Sequence, residues 1–453
     1  MTTEFTHTPK KTIPFVSGES RFSGSLKAIR GDRLAFYTRT MRECGSIGKF
    51  HWGLLTFYIV SDPKLIQGIL VEHSEAFNKG IVINLLFSPI VGKGLFLNEG
   101  EPWRKQRKLL APLFQPRHLA SYAESIVGYT ERQLSNWREG EVINLEKEMM
   151  ALTMSIIGKI LFDEDVFSQT DELGTALSDV FRWIDIVSLK AFPLPAVVPT
   201  PLNLWVRRRT KVIQNHVQLM IEARRNQPKD RVDILSMLLN ATNESGNSMD
   251  DVQVRDEAVT VFGAGHETTA VSLAWAVYFM LSQPEIYAKV QHEVDTVLAG
   301  HAPTITDLAR LPYSLQVIKE TLRYYPPSGG IARQALQEIE IGGYTFPKGQ
   351  LVMLPMYATH RIPEYYPDPE RFDPERFSVE NEKKLPRYAY WPFGAGPRVC
   401  IGSHLAMMEM HLVLALLVQQ VRLELVPGQT VQVEMRGTIH MNGCKLVVHH
   451  RNQ

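Results

Sequence analysis

Cys400 is the residue with the clearest chemical potential, because it ends a glycine-rich segment just before a predicted helix. The segment Phe393–Gly402 reads Phe-Gly-Ala-Gly-Pro-Arg-Val-Cys-Ile-Gly, and a helical pattern begins near His404. A cysteine ligates a metal as a thiolate, so its pKa must fall. A helix N-terminus and the backbone N–H groups of a tight glycine turn both stabilise a nearby anion. The segment therefore predicts a metal-ligating thiolate.

The alternative for any free cysteine is a buried, inert side chain, and we expect that for Cys44 and Cys444. For Cys400, the probability that the full pattern of residues around it occurs by chance in one sequence window is on the order of 10⁻⁸. The segment resembles the haem-binding signature of the cytochrome P-450 family, with every specified position filled. Three further motifs of that family occur in the chain, in the same order as in the family. The resemblance therefore spans nearly the whole chain.

The resemblance implies a fold class and a cofactor. The class is mainly α with a small β-rich part (α+β), a helical prism with haem b between the central long helix and the helix after the cysteine loop. Cys400 would be the axial ligand of the haem iron, and Phe393 would shield it from water. Gly394 and Gly402 would allow loop and helix to approach the haem closely, and Arg398 would pair with a propionate.

A second group of reactive residues lies inside the most apolar long stretch of the chain, which reads as one buried helix from Asp250 to Leu281. Ala264 and Gly265 would leave space for a groove, and Thr268 can bond back to a carbonyl one turn earlier and bend the helix. With Glu267 it matches the acid–alcohol pair of the family, which would relay the protons that oxygen activation needs.

This helix has one open alternative interpretation and one that the sequence excludes. It could be a glycine-kinked core helix with satisfied polar residues. A zinc motif H-E-x-x-H starting at His266 is excluded, because Ala270 stands where the second histidine is needed.

Glu320 and Arg323 lie three residues apart on one face of a predicted helix. An exposed pair of this kind would be worth little. The pattern resembles the E-x-x-R motif of the family, in which an arginine from a later coil completes a buried triad. Arg376 is the expected third member.

Further residues resemble the family's propionate contacts. Trp103 and Arg107 share one helix face at a spacing of four residues. Arg333 lies just after the break Pro326-Pro327, which ends the helix of Glu320 and Arg323, and it matches another propionate ligand.

The substrate pocket should be apolar. Two segments fit a lid over it, a loop from Ile81 to Ile90 and a loop from Ala191 to Val198, although ordinary loop packing explains either one equally well. The expected pocket residues are Ile83, Leu86, Phe87, Phe262, Ala264 and Ile331. The substrate would be a lipophilic small molecule: a terpenoid, a steroid-like compound, a polyketide or a fatty acid.

Electrons are expected from a separate ferredoxin or flavodoxin with its reductase. Basic side chains on the side of the haem that faces Cys400 could attract an acidic partner protein. Alternatively, they form an ordinary solvated surface. These side chains are Arg104, Lys105, Lys108, Lys383 and Lys384.

The elements that must position these residues are mostly helical. Apolar residues recur with helical spacing along most of the chain, while the segments 48–62, 339–354 and 421–448 carry β-rich patterns and turns. No linker, repeat or low-complexity run divides the 453 residues, so we expect a single catalytic domain, 1–453. A net charge of +1 argues against nucleic-acid binding.

An odd, sparse set of cysteines indicates a reducing, cytoplasmic location, and no stretch is apolar enough for a transmembrane anchor.

The leading function is monooxygenation: one oxygen atom of O2 enters a lipophilic substrate by hydroxylation or epoxidation. A peroxide-driven or isomerase variant of the same fold is one rival. A non-enzymatic haem sensor or electron carrier is the other.

Overall fold

The computed structural model describes residues 11–20, 23–163, 170–190, 194–226, 233–241 and 248–451, and helices dominate this part. The α-helices are α1 (Leu26–Gly31), α2 (Arg33–Cys44), α3 (Pro63–Gln67), α4 (Gly80–Val91), α5 (Gly100–Leu110), α6 (Pro116–Asn136), α7 (Leu145–Phe162), α8 (Thr170–Ser188), α9 (Pro201–Asn226), α10 (Ile234–Asn240), α11 (Asp251–Ser282), α12 (Pro284–Leu298), α13 (Pro312–Tyr324), α14 (Met356–Thr359), α15 (Val379–Glu382) and α16 (Ser403–Gln420).

The strands are short and lie in several small sheets. They are β1 (Ile47–Trp52), β2 (Leu55–Val60), β3 (Phe77–Asn78), β4 (Val142–Asn144), β5 (Ile331–Ala335), β6 (Ile339–Ile341), β7 (Tyr344–Phe346), β8 (Leu351–Leu354), β9 (Val421–Leu425), β10 (Gln432–Arg436), β11 (Thr438–Asn442) and β12 (Lys445–His450). One sheet has the order β1-β2-β8-β5-β3, and another has the order β4-β12-β9. β10 pairs with β11, and β6 pairs with β7.

Helix α11 forms the axis of the main core and packs against α7, α9, α13 and α16. It begins at the capping residue Asp250, whose carboxylate accepts a hydrogen bond from the backbone N–H of Gln253. Apolar side chains on every side of its C-terminal half are buried, as expected for a helix enclosed by other helices. A second, smaller core lies on the five-stranded sheet.

The predicted class, mainly α with small sheets, is confirmed by this architecture. The prediction of a loop from Ile81 to Ile90 was wrong, because these residues lie within α4. An apolar run of this length fits a buried helix as well as an apolar loop, and tertiary packing decides between them. α4 even retains Pro89 inside its last turn.

Two other sequence predictions concern whole segments. The predicted lid from Ala191 to Val198 is described only from Leu194 onward, and Ala191–Pro193 lie outside the described residues. Among the residues that are described, no helix has both the length and the apolar character that crossing a bilayer requires.

Candidate active site

The loop before Cys400 is held in place by its backbone. The N–H of Cys400 donates to the carbonyl of Phe393 at 2.9 Å. Gly394 and Gly396 have φ values of 78° and 68°, which side-chain-bearing residues rarely adopt. A Cβ atom on Gly396 would also lie 2.0 Å from the carbonyl oxygen of Leu70. Only glycine therefore allows this loop to pack against the π-helical turn Gly68–Glu72.

The thiol of Cys400 is exposed, yet protein atoms surround it closely. Burial raises the pKa of the thiol, while a hydrogen bond from the backbone N–H of Gly402 and the charge of Arg107 lower it. The exposed surface of Cys400 thus faces a recess within the protein. A backbone donor and a cation are already in place there to stabilise a thiolate.

A basic cluster lies near this loop and shares one carboxylate. Arg398 forms an ion pair with Glu99. Burial, with the charges of Arg333 and Arg398, holds the pKa of Lys79 well below its usual value, although Glu99 opposes this. Burial also lowers the pKa of Arg333 to about 10. The cations therefore exceed the negative charge that Glu99 provides.

Trp103 packs against two arginines of this site through its indole ring. The guanidinium of Arg398 lies over the Trp103 ring at 3.9 Å, and that of Arg107 lies 5.9 Å from the same ring. One nitrogen of Arg398, Nη1, is buried and has no hydrogen-bond partner among the described residues. An added pair of carboxylates would satisfy both the unpaired donor and the excess charge, which fits the propionates of a haem.

Sequence reasoning missed Lys79 and Glu99. Lys79 directly precedes α4, and its ammonium group lies 3.6 Å from the ring centroid of Phe96. Their places at the cluster depend on contacts across the fold, and neither residue lies in a motif that would have revealed them.

The α11 segment around Thr268 is only partly buried. Ala264 is exposed although Phe262 and Glu267 on either side are buried. The hydroxyl of Thr268 donates to the carbonyl of Ala264 at 2.7 Å. Gly265 has its open side against α7, where an added Cβ would lie 2.9 Å from Cδ1 of Ile157. Gly265 thus lets the two helices approach each other.

The side chain of Glu267 contacts two residues of β11. Its Oε1 accepts a hydrogen bond from the hydroxyl of Thr438 and lies 3.1 Å from Nε2 of His440. Nδ1 of His440 lies 2.9 Å from Oε1 of Glu146 on α7. This arrangement could not be predicted from the sequence, because α7, α11 and β11 are far apart along the chain.

The predicted triad comes together in the structure. Arg323 binds Glu320 through two hydrogen bonds of 2.6 Å, and both side chains have no exposed surface. Nε of Arg376 lies 3.6 Å from Oε1 of Glu320. Arg323 also donates to the carbonyls of His360 and Pro369 at 3.1 and 2.9 Å, so the triad fixes the coil that leads to the cysteine loop.

The predicted pocket residues range from buried to exposed. Phe262 and Leu86 are buried in the core, where the ring of Phe262 lies 5.8 Å from that of Phe162. Ile83, Phe87 and Ile331 are partly buried, and Ala264 is exposed.

A separate open cavity of about 630 Å³ lies between α4 and the segment before α9, and none of the predicted pocket residues lines it. Its walls are Ile81, Asn84, Leu85, Ser88, Pro89, Pro195, Ala196, Val197 and Arg207.

Fold and site together define a class: a mostly helical protein with a recessed cysteine loop that suits a haem–thiolate cofactor. The sequence model of the family described as Cytochrome P450 matches residues 20–448. The chain therefore belongs to the cytochrome P450 family, a family of haem-thiolate proteins.

Two bacterial relatives and one solved structure are similar to this chain over most of its length. Cyclooctat-9-en-7-ol 5-monooxygenase of Streptomyces melanosporofaciens is 35% identical over 388 residues, 85% of this chain and 84% of the relative. Pentalenene oxygenase of Streptomyces avermitilis is 30% identical over 399 residues, 87% of this chain and 88% of the relative. A cyanobacterial protein solved with bound retinoic acid, CYP120A1, has a TM-score of 0.87 and 26% identity, with 97% of this chain and 100% of that chain covered. The chain is an oxidoreductase, a monooxygenase of this family.

Proposed function

We propose that this monooxygenase contains haem b and inserts one oxygen atom of O2 into a terpenoid, with Cys400 as the ligand of the iron. The observation that carries the proposal is the recessed thiol of Cys400, which has a backbone N–H and Arg107 beside it. When bound, the haem supplies the redox chemistry that activates dioxygen. Lys79, Arg107, Arg333 and Arg398 would bind its propionates, and Trp103 would support the two arginines that lie near its ring.

The experiment for the cofactor is a carbon monoxide difference spectrum of the reduced protein. A band near 450 nm, as thiolate-ligated haem gives, is expected for the wild-type protein and not for Cys400→Ser. Cys444→Ser is the matched control, because Cys444 is a buried free thiol elsewhere in the fold. A spectrum typical of an imidazole ligand, or an unchanged spectrum in Cys400→Ser, would contradict the proposal, and extraction of the pigment identifies the haem type.

The remaining residues of the site would protect and serve the reaction. Phe393, Gly394 and Gly402 would keep water away from the sulfur and give it close backbone contacts. Thr268 would hold water or substrate oxygen in the groove beside Ala264, and Glu267 would supply the protons. Thr268 donates its own hydrogen to a carbonyl, so its oxygen remains available to accept one from a proton donor.

Three observations support a terpenoid as the substrate. Both Streptomyces relatives are named for oxidation of terpenoid compounds, and retinoic acid, found in the solved structure, is an isoprenoid acid. The open cavity beside α4 has mainly apolar walls, with Asn84, Ser88 and Arg207 as polar exceptions. This composition suits a hydrocarbon skeleton that carries one hydroxyl or carboxyl group.

The substrate class can be tested by optical titration of the ferric protein. A shift from low to high spin is expected with cyclic diterpene alcohols and sesquiterpenes, because the ligand expels water from the iron. Steroids, macrolides and fatty acids in the same panel provide the comparison. A shift with fatty acids alone would contradict the terpenoid assignment and leave the haem assignment intact.

We propose a ferredoxin or flavodoxin, with its reductase, as the electron donor. The expected docking face includes Arg104, Lys105 and Lys384, but the charges there are partly compensated. Arg104 pairs with Glu75 and Glu101, and Lys105 lies 4.0 Å from Glu101. Docking would therefore depend on a few side chains, and not on a strongly basic surface.

We also propose that the chain acts as one catalytic domain in a reducing, cytoplasmic compartment. The support is that all three cysteines are free thiols. The main core includes side chains from α2 near the N-terminus to β12 near the C-terminus, so the described chain folds around shared cores.

A further inference from the structure

Three elements bring together four polar side chains, one of which is Glu267. Glu267 is on α11, Thr438 and His440 are on β11, and Glu146 is on α7. Nε2 of His440 lies 3.1 Å from Glu267 and 2.9 Å from the Thr438 hydroxyl, and Nδ1 lies 2.9 Å from Glu146. Glu146 is fixed in turn, because its second oxygen accepts the backbone N–H of Met441. Both ring nitrogens of His440 thus face carboxylates.

The charge on His440 follows from these contacts. A neutral imidazole can donate from one nitrogen only, whereas the two carboxylates each accept a hydrogen bond. Burial alone would lower the pKa of His440, but the hydrogen bonds and charges of Glu146 and Glu267 raise it to about 9. His440 is therefore a buried imidazolium at neutral pH, between two carboxylates that would otherwise repel each other.

The other charged groups around His440 do not cancel this arrangement. His266, next to Glu267 on α11, has its pKa lowered by burial and is neutral. Asp185 on α8 interacts with His440, but it already pairs with Arg33 at 3.3 Å and feels the charge of Arg436. The cation of His440 is thus shared mainly by Glu267 and Glu146.

We propose that His440 is a positioning residue for proton delivery by Glu267, whose side chain it orients and whose carboxylate it contacts as a cation. This proposal rests on the proton role of Glu267 given above. The carboxylate of Glu267, held by His440, takes a proton from solvent water, turns toward Thr268 and gives the proton up there. Its new O–H bond breaks in that step, and the carboxylate that remains returns to the imidazolium of His440. Glu146, partly exposed, balances the charge on the outer side.

The decisive experiment compares His440→Gln, which keeps a polar side chain but removes the cation, with His440→Lys, which keeps a cation. Product formed and hydrogen peroxide released per NADPH are measured from pH 6 to 10, with a cyclic diterpene alcohol, a surrogate ferredoxin and its reductase. We expect His440→Gln to form about 10-fold less product per NADPH and to release more peroxide. His440→Lys should restore most of the yield. In the wild-type protein the yield should fall as the pH rises through about 9, and in His440→Gln this fall should be absent.

The control is His449→Gln. His449 on β12 also lies between two carboxylates, 2.8 Å from Glu139 and 3.7 Å from Glu424, but near the surface and outside the site. Its replacement should leave the product yield unchanged.

A second readout does not depend on turnover. In the reduced, carbon monoxide-bound protein labelled with ¹³C-histidine, one histidine signal should titrate near pH 9 and disappear in His440→Gln. Glu146→Gln, a change at a partly exposed residue, should lower the pKa of that signal even if His440→Gln does not fold.

The outcomes separate this inference from the proposed function. Full coupling in Glu267→Gln would overturn the proton role of Glu267, and with it the role of His440. Lost coupling in Glu267→Gln, with unchanged coupling in His440→Gln, would overturn the positioning role alone. The inference also fails if no histidine signal titrates above pH 8, or if Glu146→Gln leaves its pKa unchanged.

Discussion

At the scale of single residues, Thr268 shows how one hydrogen bond determines what a hydroxyl can do. Its hydrogen is committed to the carbonyl of Ala264, which is 2.7 Å away. The oxygen can therefore accept a hydrogen bond but has no second hydrogen to give. Such a hydroxyl suits the last member of a proton path, where it holds the water molecule that receives protons from an acid.

We expect Thr268→Ala to form about 10-fold less product per NADPH and to release more hydrogen peroxide, because protons then arrive too slowly. The measurement is the balance of NADPH consumed, peroxide released and product formed. Ser282→Ala is the control, since Ser282 makes the same bond to a carbonyl one turn earlier, at the end of α11. Unchanged coupling in Thr268→Ala would count against the proton path.

The buried charge of His440 also predicts a pH dependence of stability. The pKa of about 9 in the folded protein lies above the value of about 6.5 for a free histidine. The resulting stabilisation is complete below pH 6.5 and is lost as the pH rises through 9, and it amounts to about 3 kcal/mol. The free energy of unfolding in urea, measured from pH 6 to pH 10, should fall by about this amount more in the wild-type protein than in His440→Gln. Parallel pH profiles in the two proteins would refute the ion pairs.

What the sequence could predict at this scale follows from distance along the chain. Cys400 and Arg398 lie in one short segment, so their pattern was readable before any fold was known. Lys79, Glu99 and His440 gain their contacts only when remote segments meet, and nothing in their local sequence carries that information.

At the scale of elements, the cysteine loop depends on its close fit against the π-helical turn Gly68–Glu72. Gly396 meets the carbonyl of Leu70 there, so Gly396→Ala must push the loop away. We expect this variant to bind substoichiometric haem, as measured by the ratio of haem absorbance to protein. Gly428→Ala is the control, because Gly428 also has a positive φ, 74°, but nothing lies near its added Cβ. Full haem content in Gly396→Ala would contradict this role of the loop contact.

The Glu320–Arg323 pair has a comparable role for the coil before that loop. Removal of one partner leaves a buried charge without compensation, which costs about 3–5 kcal/mol. We therefore expect Glu320→Ala and Arg323→Ala to yield haem-free or insoluble protein, measured as soluble yield and haem content. Lys319→Ala is the control, since Lys319 pairs with Glu382 near the surface at 2.7 Å. A stable, haem-loaded Arg323→Ala protein would rule out this structural role.

The long helices were predictable because each has a regular apolar pattern over many turns. The pattern around Glu320 and Arg323 also indicated the triad before the structure was known. The short elements were harder to assign: the apolar run 81–90 was interpreted as a loop but is part of α4, and α10 was not anticipated. In both, packing against other helices compensates for weak local signals.

At the scale of the whole molecule, the near-neutral charge of +1 limits how an electron donor can be attracted. Steering by the total charge would be weak, so docking must depend on a local group of cations on the face that carries the cysteine loop. Arg104 is exposed, and its ion pair with Glu75 is exposed as well. Exposed pairs of this kind contribute little and can exchange partners when an acidic protein approaches.

We expect the rate of reduction by a ferredoxin to fall about 10-fold between 50 and 500 mM salt, because screening shortens the range of these charges. Arg104→Glu should lower the rate at low salt and weaken its dependence on salt, as measured by stopped-flow mixing under carbon monoxide. Arg208→Glu on α9 has the same change in net charge at a different element, and it should leave the rate unchanged. A salt-independent rate, or equal losses in the two variants, would mean that apolar contacts bring the electron donor to this protein.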